Sequence, residues 1–124
     1  MKTAIIILSD PNSGSEESLG RVFNALAAAY DYKQAGEDVI IQFQGTGTRW
    51  IAELMKPDHI ANELFQSVSD KVAGVSCGCA DVFGGSEDAV KNGFDLIADN
   101  QVPGTTGLPS FVQLQNEGRQ ILIF

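Results

Sequence analysis

Residues 3–8, Thr-Ala-Ile-Ile-Ile-Leu, form a continuous apolar run that stops at Ser9-Asp10-Pro11. A run this short, with three consecutive isoleucines and no polar alternation, reads as a strand covered on both faces. That is the condition of a strand inside a parallel sheet. The run is too short to cross a bilayer and no small-residue cleavage pattern follows it, so it is not read as an export signal. A parallel neighbour requires a crossover connection, and the next segment has the period of one. Leu19, Val22, Phe23, Leu26 and Tyr30 recur at helical spacing and are expected on the buried face. Ser13 with Glu16, or Ser15 alone, can cap the start, and Gly36 is placed to end the helix. Residues 38–43, Asp-Val-Ile-Ile-Gln-Phe, then give a second strand and complete a right-handed strand–helix–strand unit.

The alternation continues to the end of the chain. Trp50, Ile51, Leu54 and Met55 mark a short helix, stopped at Pro57-Asp58. Another follows, with Ile60, Leu64, Phe65 and Val68 on one side. Val72–Ser76 is a third strand. Ser86 is expected to cap a helix with Glu87 and Asp88 in its first turn and with Val90, Phe94 and Ile97 buried. Residues 99–107 read as a Gly/Pro/Thr loop. Pro109 and Gly118 bracket a last helix, and Arg119–Phe124 is a final strand. The pattern predicts a single α/β domain over residues 1–124, a three-layer α/β/α sandwich on a mainly parallel sheet. The first strand, being the most apolar, is expected at the centre. In such sheets ligands sit beyond the carboxyl ends of the strands. Three loops should meet there: Ser9–Ser15, Gly45–Thr48 and Ser76–Ala80.

Composition narrows the partners. Eight Lys and Arg stand against sixteen Asp and Glu, for a formal net charge of −8. Phosphate neutralisation needs aligned cations, so neither nucleic acid nor an anionic membrane surface is an expected partner. With no export signal read, the expected compartment is the cytoplasm, where an unpaired thiol stays reduced.

The two cysteines, Cys77 and Cys79, follow the third strand and lie on the edge where this architecture places function. Cys77 is expected at the strand's end. A strand-like pair would face one side, and a disulfide between them is geometrically awkward. Alternatively, a helical turn over Ala80–Phe83 would aim N–H groups at Cys79 and activate it instead. Free cysteine is also a common space-filler in cores. A structural zinc site is not expected, because two cysteines and a distant His59 fall short of a full ligand set. His59 reads as a surface residue with no identifiable catalytic partner.

The stretch Val75-Ser76-Cys77-Gly78-Cys79-Ala80-Asp81-Val82-Phe83-Gly84 resembles the DsrE/DsrF-like family, which includes TusD-type sulfur-relay subunits and YchN-like proteins. So do the apolar first strand, the Ala-rich helix around Asn24-Ala25-Leu26-Ala27 and the strand Gln120-Ile-Leu-Ile-Phe124. The resemblance implies a sulfur-relay function in which a cysteine accepts sulfur as a persulfide and passes it on. It favours Cys77 by position, while Cys79 fits a second family pattern, Cys-Ala-x-x-Phe-Gly. It also implies a homo-oligomer, a trimer or hexamer, with donor and acceptor proteins as partners. No cofactor is expected.

Two other readings stand beside it. The loop Ser9–Ser15 occupies the place where flavodoxin-like folds hold a phosphate, which would make the chain a flavin- or nucleotide-binding module. Against that, Asp10, Glu16 and Glu17 crowd the site with negative charge. Gly45-x-Gly47 is a weak signal, although Arg49 beside it is a candidate anion partner. Finally, the chain can be a non-catalytic oligomer subunit, with Trp50, Met55 and Phe83 as interface anchors or as core.

Overall fold

The computed structural model describes all residues, 1–124. The strands are β1 (Lys2–Ile7), β2 (Asp38–Phe43), β3 (Val72–Ser76), β4 (Leu96–Ile97) and β5 (Gln120–Ile123). The helices are α1 (Glu16–Gln34), α2 (Trp50–Leu54), α3 (Asn62–Val68), α4 (Cys77–Phe83), α5 (Ser86–Lys91) and α6 (Phe111–Asn116). A 3₁₀ turn over Gly45–Arg49 links β2 to α2. Every strand pairing is parallel, in the order β4-β3-β2-β1-β5.

The middle strand is therefore β2, not β1. Unbroken apolarity requires only that both faces be covered. β1 meets that condition one place off-centre, between β2 and β5. Its place in the order is set by the last crossover, through α6, which returns β5 to the far side of β1.

The three layers are unequal. On one face, Ile5, Ile7, Val39, Ile41, Phe43 and Val75 pack against α1, α2, α3 and Ala89 of α5 in a single large core. On the other, Ala4 and Ile6 meet Leu114 of α6, with Ile40 and Ile121 at the margin. One short helix cannot span a five-stranded sheet, and an open cleft of about 510 Å³ remains beside α6, lined in part by Ile40, Gln42 and Asp95. At the opposite edge from the strand ends, Arg119 reaches across β1. It donates to the Thr3 carbonyl and to Asp38 at the start of β2, at 3.3 and 2.9 Å. The hydrogen bond from Arg119 holds the Asp38 carboxyl below the usual carboxylate range.

The helix ends follow their capping residues. Ser15 accepts the Glu17 N–H at 3.0 Å and starts α1, and Gly36, at φ 74°, turns the chain out of it. Ser110, not Pro109, caps α6 by accepting from the Gln113 N–H. Ser86 is the first residue of α5 rather than its cap; Gly85 holds the cap position without a side chain.

Several buried faces differ from the periodic reading. The buried stripe of α1 is Val22, Ala25, Leu26 and Ala29, while Phe23 and Tyr30 are 37% and 42% exposed. The two alanines let the helix backbone approach the sheet closely, which turns the aromatic flank outward. Ile60 precedes α3 and is exposed, and Val90 points outward while Ala89 is buried. Ile97 belongs to β4, a strand too short to show a period. Leu26→Ala is expected to cost about 2–5 kcal/mol and Phe23→Ala under about 1 kcal/mol. Urea unfolding of both variants checks the orientation of α1; equal losses would place Phe23 in the core.

Candidate functional site

Parallel pairing puts the carboxyl ends of all five strands on one edge, and the three expected loops do meet there. Trp50 donates its indole N–H to the Ser9 carbonyl at 2.8 Å. Thr48 donates to the Gly84 carbonyl at 2.8 Å, and Thr46 to the Leu8 carbonyl at 3.0 Å. Arg49 pairs with Asp10 at 3.1 Å and donates through Nε to the Phe83 carbonyl at 2.7 Å. Its guanidinium also lies 5.8 Å from the centre of the Phe83 ring. Arg49 thus serves as an internal tie between loops, through its Nε and Nη1 donors.

The β1–α1 loop is braced by its own side chains. Asp10 accepts from the Asn12 N–H, Ser13 from the Ser15 N–H, and Ser15 from the Glu17 N–H. These N–H groups are among the backbone donors on which a phosphate would sit. Trp50 is buried, so it is core rather than an interface anchor. Met55 packs against the core, and Phe83 is half-exposed at the end of α4.

The strand β3 ends at Ser76, and Cys77 is already the first residue of α4. Buried Ser76 caps this helix: its Oγ accepts the Cys79 N–H at 3.3 Å. The helical turn therefore begins at Cys77, not at Ala80, and the two thiols do not share a side. Two residues of helix separate side chains by about 200° around the axis. Cys77 shares a face with Asp81, four residues on, and Cys79 shares one with Phe83. Both thiols are free and partly buried, and bridging them would require unwinding α4.

The loop before α6 docks on the first turn of α4. Asn100 and Leu108 exchange two backbone hydrogen bonds, of 2.7 and 2.9 Å, and close the loop. The Gly78 N–H then donates to the Gly107 carbonyl at 2.7 Å. Both glycines are needed for this approach. A Cβ on Gly78 would lie 2.9 Å from Leu108 Cδ1. Gly107 has φ 108°, and a Cβ there would lie 2.7 Å from the Ala98 Cβ.

The docking brings Thr106 against Cys77. Thr106 Oγ1 lies 3.3 Å from Cys77 Sγ and 2.5 Å from Asp81 Oδ2. Neither Thr106 nor Asp81 was singled out from the sequence. Asp81 carried a usable signal, its i+4 spacing from Cys77, once the helix is started at Cys77. Thr106 lies in a loop 29 residues away, and no local pattern points to it.

His59 sits elsewhere. Its Nδ1 accepts the Ala61 N–H at 3.0 Å, and its ring packs edge-on to Trp50. No three His, Cys, Asp or Glu side chains cluster in a way that could hold a metal ion. No helix is long and apolar enough to cross a membrane.

An all-parallel α/β domain with a free thiol on its carboxyl edge defines a thiol-bearing α/β class. The chain belongs to the DsrE/DsrF-like family, whose profile matches residues 1–124, the whole chain. That family is generally associated with sulfur relay. No curated protein and no solved structure matches the chain.

Gly107→Ala is expected to lower stability by about 1–3 kcal/mol through its left-handed backbone alone, with the Ala98 overlap adding to it. An unchanged urea midpoint would mean that the loop does not dock as described.

Proposed function

We propose that this chain is a sulfur carrier in which Cys77 accepts sulfur as a persulfide and hands it to an acceptor. The observation that supports Cys77 over Cys79 is its polar setting. Cys77 has a hydroxyl and a carboxylate gathered on its side of α4, whereas the side chain of Cys79 has no hydrogen-bond partner. The transfer is an exchange between a thiol and a persulfide. The bond between the donor's thiol sulfur and its terminal sulfur breaks, and a bond from Cys77 Sγ to that terminal sulfur forms. The proton of Cys77 ends on the donor's thiolate, with no net oxidation. Passing the sulfur on repeats the exchange with an acceptor thiol. A reducing compartment such as the cytoplasm would keep the thiol available.

The direct test is intact mass after incubation with a small-molecule persulfide, with and without reductant. The expected result is a gain of one sulfur that reductant removes, kept in Cys79→Ser and lost in Cys77→Ser. If the gain survives in Cys77→Ser and disappears in Cys79→Ser, the carrier is Cys79. No gain in any form would end the sulfur-carrier reading.

The same family membership supports assembly into a homo-oligomer, a trimer or hexamer. Light scattering at micromolar concentration is expected to return a multiple of the 13.2 kDa chain mass. A monomer would overturn this.

A further inference from the structure

A hydroxyl carries one proton, so Thr106 cannot donate to Cys77 and to Asp81 at the same time. Thr106 Oγ1 lies within hydrogen-bond reach of both, 2.5 Å from Asp81 Oδ2 and 3.3 Å from the larger sulfur atom of Cys77, and the charged carboxylate is the stronger acceptor. A short O–H···O⁻ bond is among the strongest available to a side chain, and a carboxylate has no proton to give in return. The Thr106 hydroxyl therefore points its proton at Asp81. What Thr106 turns toward the sulfur is a lone pair, and this suits a protonated thiol, which can donate to it. It does not suit a thiolate, which is itself only an acceptor, and thiolate is the attacking species in sulfur exchange.

From this geometry we infer that Asp81 is a positioning residue that restrains Cys77 by holding the Thr106 hydroxyl proton away from the sulfur. The inference rests on Cys77 being the reacting thiol. When the hold of Asp81 is removed, the Thr106 O–H rotates to Sγ and becomes a donor to the thiolate. Asp81 is exposed on α4, so the restraint lies where a docking protein can reach it. The opposite role, with Asp81 taking the thiol proton through Thr106, runs uphill. Carboxylates ordinarily release their protons more than about four pH units below thiols, so a proton passed from the thiol to the carboxylate is only weakly held.

The test is the rate at which Cys77 is alkylated by a limiting small reagent at one neutral pH, with peptide mapping to separate it from Cys79. Asp81→Ala is expected to speed the reaction about three- to tenfold, the scale of one redirected hydrogen bond. Thr106→Val has no hydroxyl to redirect, so adding Asp81→Ala to it should give no further gain. Thr106→Ser keeps the hydroxyl and should keep the gain. Such dependence of one substitution on the other is a coupling that independent effects do not produce.

No change or a slowing in Asp81→Ala overturns the inference. So does an equal gain in the Thr106→Val background, which would mean that Asp81 acts by charge alone. Both side chains are exposed, and circular dichroism confirms that each variant folds. The outcome is separable from that of the sulfur-carrier reading. Alkylation reports on the thiol whether or not the protein takes up sulfur, and sulfur uptake by the native chain does not depend on the variants.

Discussion

Parallel pairing of β1 with β2 is the constraint from which the rest of this molecule follows. The ladder runs from Lys2 opposite Asp38 to Ile7 opposite Phe43. Two parallel strands cannot be joined by a tight turn, so the chain must cross back over the sheet each time. Every crossover starts from the same edge, and every loop that leaves a strand end is gathered there. The thiols, the Arg49 tie and the β1–α1 loop are neighbours for that reason alone. The same constraint demands apolar cover on both faces. The first face has it in five helices, α1 to α5, and the second has only α6.

Within that frame the chemistry depends on a contact between two glycines. The Gly78 N–H meets the Gly107 carbonyl at 2.7 Å because neither residue has a Cβ to hold the segments apart. The 99–108 loop is otherwise closed on itself through Asn100 and Leu108. Docking it on α4 converts a threonine remote in sequence into the neighbour of Cys77. A larger residue at position 78 would press on Leu108 and on the Gly107 carbonyl, in the same loop that carries Thr106. The site is therefore sensitive to packing at positions that take no part in the chemistry.

The helix that carries the thiols has a further effect. Ser76 ends β3 and caps α4, so the change from period two to period 3.6 falls between Ser76 and Cys77. As a strand, this stretch would have turned both thiols to one side. As a helix, it separates them and assigns them different company. Cys77 faces Asp81 and Thr106, and Cys79 lies on the side of Phe83, whose carbonyl and ring both engage Arg49.

Much of this was legible in the residues themselves. The apolar runs at 3–8, 38–43 and 72–76 call for cover on both faces, and the helical periods between them point to a parallel α/β sheet. The place of the cysteines on the functional edge follows from the end of the run at Ser76. The family resemblance is carried by that same stretch. The order of the strands was not legible, because burial on both faces distinguishes interior from edge but not β1 from β2. Nor was the outward turn of Phe23 and Tyr30, since a helix's buried stripe is chosen by how closely Ala25 and Ala29 let it approach the sheet. The sequence alone determined the architecture and the edge on which the thiols lie, through local hydrophobic pattern. Only the tertiary structure decided that Cys77 meets Thr106 and Asp81, because that contact joins segments whose proximity is set by loop docking and has no local period.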